Sequence, residues 1–255
     1  MFQAATQSTA YPASTLFGDC GDVVDTSFSF AFQPLVEIQT GKPFGHEALV
    51  RGLAGESAAT VIEAIRPENR YYFDQACRMR ALKAAALRGI ATGLHLNCSQ
   101  ISPDNLALSI DATVECAREH GIEPARIVLE FGNLEMLGNP RQLDKACEMA
   151  HVAGLRVLAD NVGIGEVGLK RLAVFRPDFA KLDRSLVRGI DTSARRQAIV
   201  HGLLATCKAL GIAVIATGIE RGEELRWIEA ADVRLAQGFL FGHPSTNGSM
   251  STKVA

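Results

Sequence analysis

The chain has 255 residues, 47% hydrophobic and 21% charged, which suffices for one large core or two small ones; one domain is the simpler expectation. A formal net charge of −2 excludes an overall pull toward a nucleic acid polymer or an anionic membrane. The six cysteines (Cys20, Cys77, Cys98, Cys116, Cys147, Cys207) form no CxxC pair, residues 1–15 lack the basic-then-apolar order of a secretory signal, and no stretch approaches the roughly 18 unbroken apolar residues of a membrane span, so a cytoplasmic setting without membrane insertion is expected.

Residues 1–27 and 246–255 carry Ser, Thr and Gly without sustained period and are expected to be flexible tails, leaving a body over 28–245. In the body, Phe28, Phe30 and Phe32 alternate with Ser29, Ala31 and Gln33, and a second apolar segment, Phe44 to Val50, follows Thr40-Gly41-Lys42. So short a link joins only antiparallel neighbours. Further strands are expected at 93–98, 126–131, 155–160, 178–182, 212–216 and 233–240. Stretches of helical spacing separate most of them, for example Phe73, Ala76, Cys77, Ala84 and Leu87, then Leu143, Ala146 and Ala150. Such alternation marks parallel βα units. The expected fold class is therefore α/β, a TIM-like (β/α)8 barrel with an antiparallel opening strand. An open doubly wound sheet is the alternative, but no Gly-rich dinucleotide fingerprint follows the first strand.

Glu47 in FGHEALVR, Asn97 in LHLNC, Glu130 in IVLEF and Asp160 in LRVLAD each stand at or near the end of an aliphatic strand. A barrel gathers strand ends at one face, so these residues would meet there. Carboxylates plus an amide oxygen, without Cys or His, are hard donors that suit Mg²⁺ or Mn²⁺ better than zinc. Taken singly, each carboxylate reads more readily as an ion-pair partner or a helix cap; the ordered set favours a cation. Lys181 in an apolar strand needs a partner, and Asp183 or Asp160 is the expected one. His46 should face away from Glu47, and His95, on the same face as Asn97, is expected as core packing.

The blocks HEALVR, LHLNCSQ, LEFGN, ADNVGIG, FAKLDRSLV, IATGIE and QGFLFGHP follow the order of the EAL domain, named for Glu47-Ala48-Leu49 here, and the chain resembles that family over almost the whole body. The segment RGLAGESAATVIEAIRPENRYYFDQACR is similar to the compact branch attached to blue-light and other sensor domains. The resemblance implies a barrel that hydrolyses cyclic di-GMP to linear pGpG by two-metal chemistry, or binds it without turnover. By motif position, Glu47, Asn97, Glu130 and Asp160 would hold the first cation, with Asp160 bridging toward the second. Lys181 would serve catalysis by orienting the attacking water or the phosphate, with Asp183 nearby on the substrate side. Arg51 would grip a phosphate through its forked donors, and Gln33 and Gln237 would line the substrate pocket.

Three positions depart from the pattern of active members. Asn161 stands where a second aspartate follows Asp160, Thr217 where a glutamate is usual, and Asn133 where a second acid follows Glu130. An amide removes a full negative charge, and a threonine hydroxyl is too short to replace a glutamate arm. The resemblance thus implies one sound cation site and a damaged second. Glu220 or Glu135 is a candidate rescue for the missing acid. The expected function is that of a degenerate EAL signalling protein that binds cyclic di-GMP, a protein partner, or both, with little or no hydrolysis. The rivals are an active metal-dependent phosphodiesterase and a nucleotide-independent interaction module. The family also allows a homodimer, with contact helices near the loop after Asp160.

Overall fold

Period-2 alternation in the first strand decides how the barrel closes. β1 (Phe28–Glu37) turns Phe28, Phe30 and Phe32 outward, where all are buried, and Phe28 meets Phe73 edge-on with ring centroids 5.0 Å apart. The computed structural model describes residues 28–100, 105–132, 140–163 and 172–246. The expected tails lie outside them except for Thr246, whose carbonyl accepts from Arg88 Nη2 at 3.1 Å.

A turn with Gly41 at φ +64° joins β1 to β2 (Pro43–Gly52), and the two strands pair antiparallel from Phe28↔Gly52 to Leu35↔Gly45. The chain then alternates: α1 (Ala58–Glu63), α2 (Arg70–Leu87), β3 (Gly93–Asn97), α3 (Leu106–Glu119), β4 (Ile127–Phe131), α4 (Pro140–Val152), β5 (Arg156–Val162), β6 (Phe179–Leu182), α5 (Arg184–Val187), α6 (Ala194–Leu210), β7 (Ala213–Ala216), α7 (Gly222–Ala230) and β8 (Leu235–Gln237). Neighbours from β2 to β8 pair parallel, and β8 pairs antiparallel with β1, which closes the barrel. Closure excludes the open sheet.

The last strand is shorter than the 233–240 expected, because the chain turns after Gln237. A Cβ at Gly238 would stand 2.0 Å from the Ile219 carbonyl oxygen, so only glycine admits this approach of the loops that follow β7 and β8. Leu240 N–H donates to that same carbonyl at 3.1 Å.

Two apolar clusters result. One lies between sheet and helices; the other, inside the barrel, joins Leu35, Val128, Leu158, Phe179 and Ile215, with Phe44 and Leu235 partly buried against it. Among the described residues no helix is long and apolar enough to cross a membrane, and the described cysteines are all free.

Candidate functional site

The barrel interior changes chemistry in a single two-residue step. Glu130 follows Val128, Asp160 follows Leu158, Lys181 follows Phe179, Thr217 follows Ile215, and Gln237 follows Leu235. On antiparallel β1 the same step runs backward, from Leu35 to Gln33. Because side chains on a strand repeat every two residues, a polar ring sits directly on the apolar plug.

Lys181 is the hub of that ring. Its Nζ donates to Glu47 Oε2 at 2.8 Å and to Glu130 Oε2 at 2.7 Å, and its side chain is 4% exposed. Neither expected partner bonds it: Asp160 acts on it only through its charge, and because β6 ends at Leu182, Asp183 turns to cap α5, accepting from Ser185 N–H at 2.7 Å. Gln237 Nε2 donates to the same Glu47 oxygen at 2.7 Å and to Gln33 Oε1 at 3.3 Å, while Gln33 Nε2 donates to the Gly242 carbonyl at 3.1 Å. Asn97 Nδ2 lies 3.4 Å from Glu47 Oε1. Sequence-distant residues thus form one hydrogen-bonded chain at the mouth.

The electrostatics are unbalanced. Burial works against the Lys181 charge, but Glu130, Glu47 and Asp160 together outweigh it and raise its pKa. Burial also opposes the Glu47 charge, yet the ammonium and two hydrogen bonds bring its carboxyl down to about 2. Glu130 is pushed up to about 8 by burial and then by the Glu47 charge. Asp160 is raised to about 6, chiefly by burial, with Glu130 and Glu47 adding repulsion. Two carboxyl groups share one ammonium with the Asp160 charge near enough to act on it, and an oxygen-only donor set of this kind fits a hard divalent cation.

The opposite arc of the mouth satisfies itself. Asn161 adopts φ +57°, a left-handed conformation that asparagine tolerates, and folds back on Asp160: its backbone N–H donates to Oδ1 at 2.8 Å and its amide to Oδ2 at 3.0 Å. Thr217 Oγ1 donates to the Leu182 carbonyl at 2.6 Å. Glu220 is exposed, and among the described residues no hydrogen bond or ion pair joins its carboxylate to the Lys181 hub. Asn133 and Glu135 lie outside the described residues. Arg51 is half-buried at the end of β2, with Nη1 on the Val50 carbonyl at 2.8 Å.

Two features escape the sequence expectations. His95 is wholly buried with Nδ1 2.8 Å from Glu130 Oε1, so it touches the ring rather than merely filling core. The second is a buried support behind β3: Arg78 pairs with Asp74, Asp74 Oδ1 accepts from Ser99 N–H at 3.0 Å, and Arg78 Nη2 donates to Ser109 Oγ at 2.9 Å. The signal available was an Asp–Arg pair at i, i+4 among apolar neighbours. His46 faces outward as expected, with Nδ1 2.8 Å from Thr92 Oγ1. Beside Glu47 and Asn97 lies a cavity of about 220 Å³ whose walls include Phe73, Ile62, Asp74 and Arg78. Cys116 and Glu119 on α3 and His120 just past its end also bring ligand-type atoms within 4.8 Å of one another. There His120 Nδ1 is already bonded to the Cys116 carbonyl at 2.8 Å, and burial pushes the thiol up to about 11, so that group locks a helix end.

The EAL domain model matches residues 22–244. A standalone EAL protein from Vibrio cholerae O395, solved in its c-di-GMP-bound form, is 35% identical with a TM-score of 0.83, over 89% of this chain and 96% of that one. Klebsiella pneumoniae BlrP1, solved as a manganese and cyclic di-GMP complex at pH 9.0, is 32% identical with a TM-score of 0.78, over 85% of this chain and 56% of that one. The blue light- and temperature-regulated antirepressor BluF of Escherichia coli is 28% identical over 222 residues, 86% of this chain and 55% of that protein. The chain spans about half the length of the curated relatives it matches first. With the barrel, the motif blocks and these likenesses in agreement, the chain belongs to the EAL domain family, in a compact form resembling its blue-light-associated members.

Proposed function

We propose that this barrel is a degenerate EAL domain that binds cyclic di-GMP beside a single Mg²⁺ or Mn²⁺, with little or no hydrolysis, and acts through contact with a protein partner. The observation that carries the reading is the asymmetry of the mouth. Glu47, Glu130 and Asp160 crowd around one ammonium, while Asn161 and Thr217 spend their polar atoms on Asp160 and on the Leu182 carbonyl. Glu47, Asn97, Glu130 and Asp160 would hold the first cation, which when bound would neutralise phosphoryl charge. Lys181 positions the two glutamates and presents an ammonium toward a phosphate, and Arg51 adds forked donors at the rim. Gln33 and Gln237 brace the far side of Glu47, and Asp183 holds the exit of β6.

Support for the nucleotide comes from relatives solved with it, and support for a protein partner from the antirepressor relative. The active-phosphodiesterase reading draws on the retained Lys181 hub and on relatives named as cyclic di-GMP phosphodiesterases. Two measurements separate these readings. Calorimetric titration of cyclic di-GMP with Mn²⁺, Mg²⁺ or Ca²⁺ should give heat in the micromolar range, and its absence would leave the nucleotide-independent module. Incubation with the nucleotide should leave it uncut; pGpG release at about one turnover per second, within the ordinary enzyme range, would establish the phosphodiesterase instead.

A further inference from the structure

Among the interior positions two residues below the polar ring, His95 is the exception. Val128, Leu158, Phe179, Ile215 and Leu35 are aliphatic or aromatic, whereas β3 offers an imidazole of 0% exposure. Its place is prepared by neighbouring strands. A Cβ at Gly45 on β2 would stand 3.0 Å from His95 Cδ2 and Nε2, closer than nearly all real Cβ contacts, so the ring fills space that a larger residue on β2 would take. The rings of Phe44 and Phe179 flank it, each at 6.4 Å between centroids. Held in this way, the imidazole brings Nδ1 to 2.8 Å from Glu130 Oε1, while Nε2 is buried without a hydrogen-bond partner.

A buried orphan nitrogen is a cost that a leucine at the same place would avoid. The arrangement makes sense through Glu130. Its Oε2 accepts from Lys181 at 2.7 Å, so the ionised form that a cation requires needs a second donor at Oε1. With its proton on Nδ1 the imidazole would be that donor and Nε2 a bare lone pair, and an unpaired acceptor is less costly than an unpaired N–H. We propose that His95 is a positioning residue for cation binding: its Nδ1–H fixes the Glu130 carboxylate and thereby sets the affinity of the mouth for a divalent ion. The proposal rests on Glu130 being a cation donor, as in the function proposed above. Partners that hydrogen-bond a ligating carboxylate typically change metal affinity by about 10- to 100-fold.

The test compares wild type, His95→Leu and His95→Asn by calorimetric titration with Mn²⁺ alone, with a denaturation curve for each. Asparagine carries its amide nitrogen as many bonds from the backbone as Nδ1, so it restores a donor; leucine fills space without one. His95→Leu should bind Mn²⁺ about 10- to 100-fold more weakly, and His95→Asn should recover most of the loss, irrespective of their denaturation midpoints. A leucine variant that binds within about twofold of wild type while wild type binds well overturns the proposal and leaves the cation site standing. If wild type takes up no Mn²⁺, both fall together. Should the leucine variant not fold, nitrogen-15 NMR of wild type decides: Nδ1 protonated with Nε2 bare is expected, and the opposite tautomer overturns the assignment.

Discussion

The two arcs of the barrel mouth handle charge in opposite ways. On the side built by β2, β4 and β6, two glutamates converge on the Lys181 ammonium, with His95 and Gln237 completing their hydrogen bonds. On the side built by β5 and β7, the Asn161 amide and the Thr217 hydroxyl bond inward to Asp160 and to the Leu182 carbonyl. The first arc sets two carboxyl groups on one ammonium, an oxygen-rich arrangement that suits an added cation. The second already has protein partners for its polar groups. If the proposed function holds, substitution of single polar groups would retire one cation site of a pair and leave the other intact, with no change of fold.

The largest effect should come from breaking the charged arc. Lys181→Met leaves Glu47 and Glu130 buried around a missing ammonium, and loss of one partner of a buried ion pair typically costs about 3–5 kcal/mol. Urea denaturation of the cation-free protein at neutral pH should show a loss of that size, part of which millimolar Ca²⁺ restores. A loss below about 1 kcal/mol would place the carboxylates in contact with water.

A smaller effect follows from pH. Burial and neighbouring carboxylates raise the folded pKa values of Asp160 and Glu130 to about 6 and about 8, above their unperturbed values of 3.8 and 4.5, so the fold favours their protonated forms. Their contribution is complete below the unfolded values and is lost as pH rises through the folded ones. Glu47, lowered to about 2, contributes above 4.5 and loses that contribution as pH falls toward 2. The cation-free protein should therefore lose stability between about pH 4 and pH 8 from this site, and Mn²⁺ should flatten the decline. Denaturation midpoints that rise across that window with and without Mn²⁺ would contradict the charge assignment.

The smallest effect tests the self-satisfied arc. Asn161→Asp exchanges the donor on Asp160 Oδ2 for a like charge and should cost about 1–3 kcal/mol without cations. Mn²⁺ should return most of it. Combined with Thr217→Glu, the change should raise any cleavage of cyclic di-GMP at least about tenfold, equivalent to about 1.4 kcal/mol at the barrier. No response to the double substitution would mean that the cause of low turnover lies elsewhere in the mouth.

The parts of this site that the sequence made legible are those governed by local periodicity. Asn97, Glu130 and Asp160 sit at or near strand ends because two-residue alternation and strand length are local properties, whereas Glu47, expected at a strand end, lies mid-strand because β2 runs on past β3 to Gly52 against β1; barrel closure then brings the four together. Lys181 was legible as buried, but its partners were not: alternation carried past Leu182 points to Asp183, whereas the chain leaves the strand there to start α5. His95 was read as core because nothing near it in sequence reveals the gap at Gly45 or the carboxylate across β4; both depend on the pairing of β2, β3 and β4. The Asp74–Arg78 support similarly depends on where the β3 exit meets α2.

The most direct test is to count cations in the nucleotide complex. Crystals of the protein grown with cyclic di-GMP and excess Mn²⁺, measured at the manganese absorption edge, should show one anomalous peak per chain, among Glu47, Asn97, Glu130 and Asp160, beside an uncut ligand. Two peaks at the mouth, with pGpG in place of the cyclic dinucleotide, would contradict the account.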